Sequence, residues 1–86
     1  MTIKYAKSFW KNYVKLTSKK QSKVKKTIAL FQIDTHHPSL RNHPLQGDMQ
    51  GRRSISAGGD LRLVFRDYEK YTVVLFLDVG SHNQVY

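Results

Sequence analysis

The fold is decided by the segment RRSISAGGDLRLVFR, residues 52–66, in which apolar residues alternate with polar ones. The Gly58-Gly59 pair in its middle is typical of a tight turn between two antiparallel strands. In the second strand, this alternation places Leu61, Leu63 and Phe65 on one face and the charged side chains on the other. The segment therefore predicts a β-hairpin with one core face and one basic face.

The residues that follow extend this hairpin into a sheet. Thr72 to Val79 is a nearly continuous apolar run, which favours a strand in the interior of a sheet. Gly80 ends the run, and residues 81–86 follow as a tail. At the other end of the chain, Thr2 to Tyr5 has the length of a short edge strand. We expect a small antiparallel sheet.

The N-terminal part has helical periodicity. From Ala6 to Leu16, apolar side chains recur at helical spacing and lysines occupy another face. Ser18 and Gln21 form a capping-box pattern that predicts a second helix, which runs to about Ile33. The buried stripe of that helix is expected to contain Val24, Ile28 and Phe31. Because the connection is short, the two helices should form an antiparallel hairpin.

Helices first and a strand meander second indicate the α+β class, with an N-terminal helical hairpin packed on the leucine face of the sheet. A chain of 86 residues is expected to form one domain over residues 1–86. Between Asp34 and Gly51 the periodicity is absent, which predicts a long loop of the kind that often carries function. The basic face of the sheet, with Ser54 and Ser56 on it, should lie open beside this loop and the tail.

The charge of the chain favours polyanionic partners. Fifteen Lys and Arg against six Asp and Glu give a net charge of +9, and nine lysines precede the first acidic residue, Asp34. Such a field favours nucleic acid first, and then an anionic membrane or an acidic protein. No apolar run is long enough to cross a bilayer and no secretory signal is visible, so we expect a cytoplasmic protein.

The residue types exclude several chemistries. The chain has no cysteine, no phosphate-binding glycine loop and no nucleophile-elbow motif, and its four histidines lack metal-site spacing, so we predict no metal and no cofactor. RNA cleavage requires neither, because the ribose 2′-hydroxyl can attack its own phosphate when a base, an acid and positive charge surround it. His43 in the loop, His82 in the tail and Arg62 on the sheet are the candidates for these three roles.

Three motifs together resemble the RelE superfamily of bacterial toxins, and most closely its YafQ branch. They are HPLQG at residues 43–47, GRRSISAGGDLRLVFR at 51–66 and VGSHNQVY at 79–86. The resemblance implies a toxin of a type II toxin–antitoxin pair that cuts mRNA on the ribosome. Its implied partners are therefore an acidic antitoxin, mRNA and the ribosome, with no role for a membrane.

The resemblance also assigns site residues. The implied catalytic group is His43, Asp60, Arg62, His82 and Tyr86. We expect further RNA contacts from Arg52, Arg53, Ser56 and Arg66. YafQ-type toxins have an active-site histidine four residues before the aspartate, where this chain has Ser56. A serine does not shuttle protons at neutral pH, so the proton transfers would rest on the two histidines and on Asp60.

Alternative interpretations stay open at this stage. Asp60 could simply begin its strand after the glycines, and Tyr86 could be a core residue at the chain end. A ParE-like inhibitor of gyrase would use the same fold without catalytic residues. A basic RNA- or ribosome-binding protein without catalysis is the third reading, and Ser56 is the residue that favours it.

Overall fold

The hairpin around the two glycines lies within a five-stranded sheet in the computed structural model, which describes residues 1–86. The strands are β1 (Thr2–Tyr5), β2 (His43–Pro44), β3 (Arg53–Ser56), β4 (Leu61–Tyr68) and β5 (Val73–Ser81). They lie in the order β1-β5-β4-β3-β2. Gly58 and Gly59 have φ angles of 98° and 54°, so the turn between β3 and β4 uses the backbone freedom that glycine provides.

The edge strand β1 differs from the prediction in its direction. It pairs parallel with β5, whereas β2, β3, β4 and β5 pair antiparallel with one another. A parallel pair cannot be joined by a tight turn, and here most of the chain separates the two strands. The α+β class is confirmed, and the sheet is antiparallel except at this one edge.

The helices are α1 (Lys7–Tyr13), α2 (Ser18–Ile33) and α3 (His82–Val85). The predicted capping box at the start of α2 is wrong by one residue. Thr17 caps the helix, because its hydroxyl accepts a 3.2 Å hydrogen bond from the Lys20 N–H. The Gln21 side chain instead donates to the carbonyl of Tyr13 at 3.0 Å and so ties α2 to the end of α1.

The core lies between the sheet and the helices α1 and α2. Its centre is a set of fully buried aromatic rings, Phe9, Phe31, Phe65 and Phe76. The Phe31 ring contacts Phe65 edge-on at a centroid distance of 5.1 Å and Phe76 at 5.7 Å, an arrangement that favours attraction between ring edges and faces. Leu61, Leu63 and Phe65 are buried, as the alternation predicts.

The long loop between α2 and β3 contains more order than the sequence indicates. Pro38–Leu40 and Gly47–Met49 form single 3-10 turns, and the two-residue strand β2 lies between them. Leu40 is buried and anchors the loop to the core. None of the helices in the chain has the length and apolar content that a membrane span requires.

The C-terminal residues form a helix on the face of the sheet opposite α1 and α2, which we call the second face. The sequence predicts an irregular tail here and an open face. α3 contacts β4 and β5, and Val85 is buried there. Val64 points to this second face, as alternation predicts, but it is fully buried. The second face is therefore covered by α3 at one end, and only the remainder is free for a ligand.

Candidate active site

The strand register brings the predicted site residues together on the second face. His43 pairs with Ser54, and Ser54 pairs with Val64. In the next row on the same face, Ser56 pairs with Arg62, which pairs with Gly80. Residues directly opposite each other in antiparallel strands point to the same face, with Cβ atoms about 4.5–5.5 Å apart. His43 on β2 and Arg62 on β4 thus lie on one surface of the sheet, separated by β3 and one row apart.

Gly80 allows α3 to lie directly on the sheet. A Cβ atom at this position would be 2.9 Å from Oε1 of Gln84 and 3.4 Å from Cγ1 of Val85. The same Gln84 Oε1 accepts a 2.8 Å hydrogen bond from the Ser81 N–H, which closes the first turn of the helix. The glycine therefore sets how closely the helix approaches the sheet, whereas the sequence predicts only that it ends a strand.

α3 brings the remaining two site residues over this surface. The Tyr86 hydroxyl donates a hydrogen bond to Oγ of Ser54, and the Tyr86 ring contacts the His82 ring edge-on at a centroid distance of 4.5 Å. Since Ser54 is also the strand partner of His43, Tyr86 connects the His82 ring to the row of the sheet in which His43 lies. Tyr86 is 42% exposed, so it belongs to this surface and not to the core.

Asp60 holds the backbone of His82. The His82 N–H lies 3.0 Å from the Asp60 carbonyl oxygen and 3.3 Å from its carboxylate Oδ1. These contacts fix the start of α3 to the β3–β4 turn and leave the exposed imidazole free. The geometry around Asp60 is that of a residue that positions a histidine.

His43 is exposed, and a backbone group determines its tautomer. Its Nδ1 lies 2.7 Å from the carbonyl oxygen of Arg41, which can only accept. In the neutral ring Nδ1 therefore carries the proton, and Nε2 carries the lone pair that a general base needs. Arg41 was not among the predicted residues, and no sequence motif marks it.

Arg62 is held by neutral oxygens. Three oxygens lie within hydrogen-bond distance of its Nη1: Oγ of Ser56 at 3.2 Å, the carbonyl oxygen of Gly59 at 2.8 Å and that of Leu61 at 3.0 Å, so one of the two N–H groups of Nη1 is shared by two acceptors. The Ser56 hydroxyl also accepts from the Gly58 N–H at 3.2 Å. These bonds orient the guanidinium without neutralising it, so its charge remains available to an anion.

The other predicted arginines are divided between the two sides of the sheet. Arg66 lies on the second face, and its guanidinium is close enough to Gly51 that a Cβ there would be 3.5 Å from Nη2. Arg52 donates through Nη1 to the Met49 sulfur at 3.7 Å. Arg53 pairs with Phe65 on the helix-covered side, where its Nε donates to Oδ1 of Asn42 at 2.8 Å. We therefore correct the expectation for Arg53, which does not lie with the other site residues.

The loop histidines outside this surface make local contacts. His36 packs edge-on against Tyr71 at 5.5 Å, and His37 accepts at Nδ1 from the Ser39 N–H at 3.1 Å. Nowhere in residues 1–86 do three His, Asp or Glu side chains converge as a metal site would require.

The fold and this surface define a class of protein. A sheet that carries two N-terminal helices on one face is the architecture of the RelE- and YoeB-like bacterial toxins. The chain belongs to the YafQ family, described as bacterial toxins of type II toxin–antitoxin systems, whose profile matches residues 1–86. The resemblance drawn from residues 43–86 is thereby confirmed.

Solved structures agree with this assignment. YafQ from Escherichia coli superposes with a TM-score of 0.80 at 26% identity, over 98% of this chain and 96% of that one. YafQ in the DinJ–YafQ complex of E. coli gives 0.72 at 27% identity, again over 98% and 96%. A YoeB/ParE toxin from Agrobacterium tumefaciens shares the fold, with a TM-score of 0.77 at 20% identity over 95% and 99%. No curated protein matches the chain by sequence.

Proposed function

We propose that this toxin is an endoribonuclease that cuts mRNA on the ribosome by attack of a ribose 2′-hydroxyl on the adjacent phosphate. The observation that supports it most directly is the surface that carries His43, His82 and Tyr86 together with the uncompensated charge of Arg62. A base, an acid and a cation around one phosphate are what this reaction needs.

The two proton transfers are assigned from the histidine geometry. Nε2 of His43 takes the proton from the 2′-hydroxyl, because its Nδ1–H is engaged with the Arg41 carbonyl. The 2′-oxygen then forms a bond to phosphorus, and the bond from phosphorus to the 5′-oxygen breaks. His82, in its protonated form, gives its proton to the departing 5′-oxygen. The products are a 2′,3′-cyclic phosphate and a 5′-hydroxyl.

Arg62 stabilises the extra negative charge that develops on the phosphate oxygens between these steps. Three hydrogen bonds hold its Nη1 in place before the substrate arrives, so little reorganisation accompanies the reaction. Ser56, which stands where YafQ-type toxins have a histidine, serves here as one of those three acceptors. Asp60 acts through His82, whose backbone it holds.

The candidate site is open to solvent, which favours an RNA substrate that the ribosome, and not the toxin, holds in position. His43, His82 and Tyr86 are all exposed to solvent. Binding to mRNA already held in the ribosome would supply the missing orientation, an entropic contribution worth up to about 7–11 kcal/mol when alignment is complete. The toxin would therefore act in the cytoplasm, on translated mRNA.

A neutralising partner follows from the net charge of +9. We propose an acidic cognate antitoxin that folds on binding and covers Arg62 and His82. The similar toxin YafQ of E. coli has been solved in a toxin–antitoxin complex with DinJ.

The decisive experiment maps RNA ends. Cells that express the toxin should contain new 3′ ends inside coding sequences, and purified ribosomes programmed with mRNA should release fragments with 5′-hydroxyl ends. Chelation of Mg²⁺ with EDTA, followed by rapid restoration of Mg²⁺ to keep ribosomes intact, should leave cleavage unchanged. Inhibition of growth without new RNA ends would contradict the proposal, and would favour either a non-catalytic ribosome-binding protein or a gyrase inhibitor.

A further inference from the structure

A second basic groove lies beside the catalytic surface. It is an open groove of about 590 Å³ between the Pro38–Leu40 turn and the β3–β4 turn. Its lining residues are Pro38, Ser39, Arg41, Ser56, Gly58, Gly59 and Arg62. The groove therefore shares Arg62 and Ser56 with the site already described and adds Arg41 on its other side.

The electrostatics of this groove favour an anion. Two of the seven lining residues are arginines, and none is acidic. Arg41 is exposed, and its side chain makes no hydrogen bond to a protein group. The two glycines give the floor no side chains, so a backbone phosphate can approach closely. The guanidinium of Arg41, which has no protein partner, lines the same groove as the oriented guanidinium of Arg62, and such a pair is suited to binding a phosphodiester.

The backbone of Arg41 has a left-handed conformation that directs its carbonyl and its side chain to different places. Its φ and ψ angles are 50° and 45°, a left-handed conformation that a residue with a Cβ adopts only when its surroundings require it. In this conformation its carbonyl accepts the proton of His43 Nδ1 at 2.7 Å. One residue thus contacts the proposed general base through its backbone and lines the groove with its side chain.

We infer that this groove binds the RNA phosphate next to the one that is cleaved, with Arg41 as the residue that contacts it. The assignment of the neighbouring phosphate rests on the proposed function, which places the cleaved phosphate between His43, Arg62 and His82. A single strand that passes over the catalytic surface would continue into the groove, because Arg62 borders both. Arg41 then contributes binding, while the proton transfers belong to the histidines.

The test measures RNA binding without cleavage. The probe is a single-stranded RNA of about ten nucleotides with 2′-O-methyl groups throughout, which has no nucleophile, and the measurement is fluorescence anisotropy over a series of salt concentrations. For single strands, the log–log slope of the binding constant against salt changes by about 0.7 for each phosphate neutralised. Arg41→Ala should therefore reduce the magnitude of the slope by about 0.7 and weaken binding several-fold at low salt.

The control is Lys26→Ala, which removes the same charge from the exposed side of α2, on the opposite face of the sheet. It should leave the slope unchanged. Arg41→Lys, which keeps the charge, should retain most of the slope. Alanine tolerates the left-handed backbone no worse than arginine does, so both Arg41 variants should fold. Equal slopes for Arg41→Ala, Lys26→Ala and the parent would overturn the inference. If Arg41→Ala lowers the slope as expected but the parent leaves ribosomal mRNA uncut, the proposed function fails, and the assignment of the groove as a phosphate-binding site stands.

Discussion

The hydroxyl of Ser56 lies 3.2 Å from Nη1 of Arg62, directly across the β3–β4 pair. Ser56 is the residue at which the chain departs from the YafQ pattern, and Arg62 is the residue that we propose to bind the phosphate. The hydrogen bond joins the two. A serine at position 56 does not transfer protons, but its hydroxyl helps to orient the Arg62 guanidinium.

Removal of this acceptor should lower activity without unfolding the protein. We expect Ser56→Ala to reduce the cleavage rate on programmed ribosomes up to about tenfold, because the Gly59 and Leu61 carbonyls still hold Nη1. Ser56→Thr keeps the hydroxyl and should stay near the parent rate. Arg62→Ala should cost about 10²–10³-fold, as loss of one transition-state donor does, and Arg62→Lys should recover only part of it. Full activity of Arg62→Ala would exclude Arg62 from the reaction.

The two histidines should be necessary to different degrees. We expect His82→Ala to reduce cleavage about 10²–10⁴-fold and to abolish growth arrest at equal expression, and His43→Ala to be similar or milder. Both imidazoles are exposed, so thermal unfolding should stay close to that of the parent. His36→Ala is the matched control, since that ring contacts only the loop and Tyr71. A His82→Ala protein that arrests growth like the parent would rule out the assignment.

A single methyl group at Gly80 should disturb the site while sparing the core. In Gly80→Ala the new Cβ would lie 2.9 Å from Gln84 Oε1, so the Gln84 amide must turn away, which breaks its hydrogen bond to the Ser81 N–H and loosens the first turn of α3, where His82 lies. We expect cleavage to fall at least tenfold, with a loss in the free energy of unfolding of about 1–3 kcal/mol. Gln84→Ala, which removes the same hydrogen bond without adding the methyl group, should reproduce part of this loss. The measurements are cleavage on ribosomes and urea unfolding of each variant. Parent-level cleavage by both variants would mean that this contact does not position α3.

Alkaline pH should weaken the fold through Tyr5. Burial, and to a lesser extent the neighbouring Tyr13, raise the pKa of the Tyr5 phenol above its ordinary value of 10.0. Above that value the unfolded chain loses the proton before the folded one does, so the free energy of unfolding falls as pH rises and is unaffected at neutral pH. Tyr5→Phe should show a smaller decline between pH 9 and 11 in urea titrations. Tyr68→Phe, which changes an exposed ring, should decline like the parent.

Much of this fold is visible in the sequence because its signals are local. The alternation in residues 52–66 identifies the hairpin and its core residues, and the helical spacing gives α2 its bounds. The three motifs in residues 43–86 were enough to indicate the family that the profile match then established. These features depend on the period of the apolar residues and on residue types at short spacing, which a chain carries whatever its tertiary contacts.

Contacts between distant segments were decided by the tertiary structure alone. Ser81 and Gln84 have the capping-box pattern that also predicts α2, but so short a segment is not stable as an isolated helix, and α3 forms because Gly80 and Val64 offer a surface on which Val85 is buried. The direction of β1 depends on its pairing with a strand some 70 positions later, for which no local pattern codes. Alternation already puts Arg53 on the face opposite Ser54 and Ser56, but only the structure shows its partner Asn42 and the contact between Arg62 and Ser56. Arg41 enters the site through a carbonyl, a group that every residue has, so only the folded backbone could reveal it.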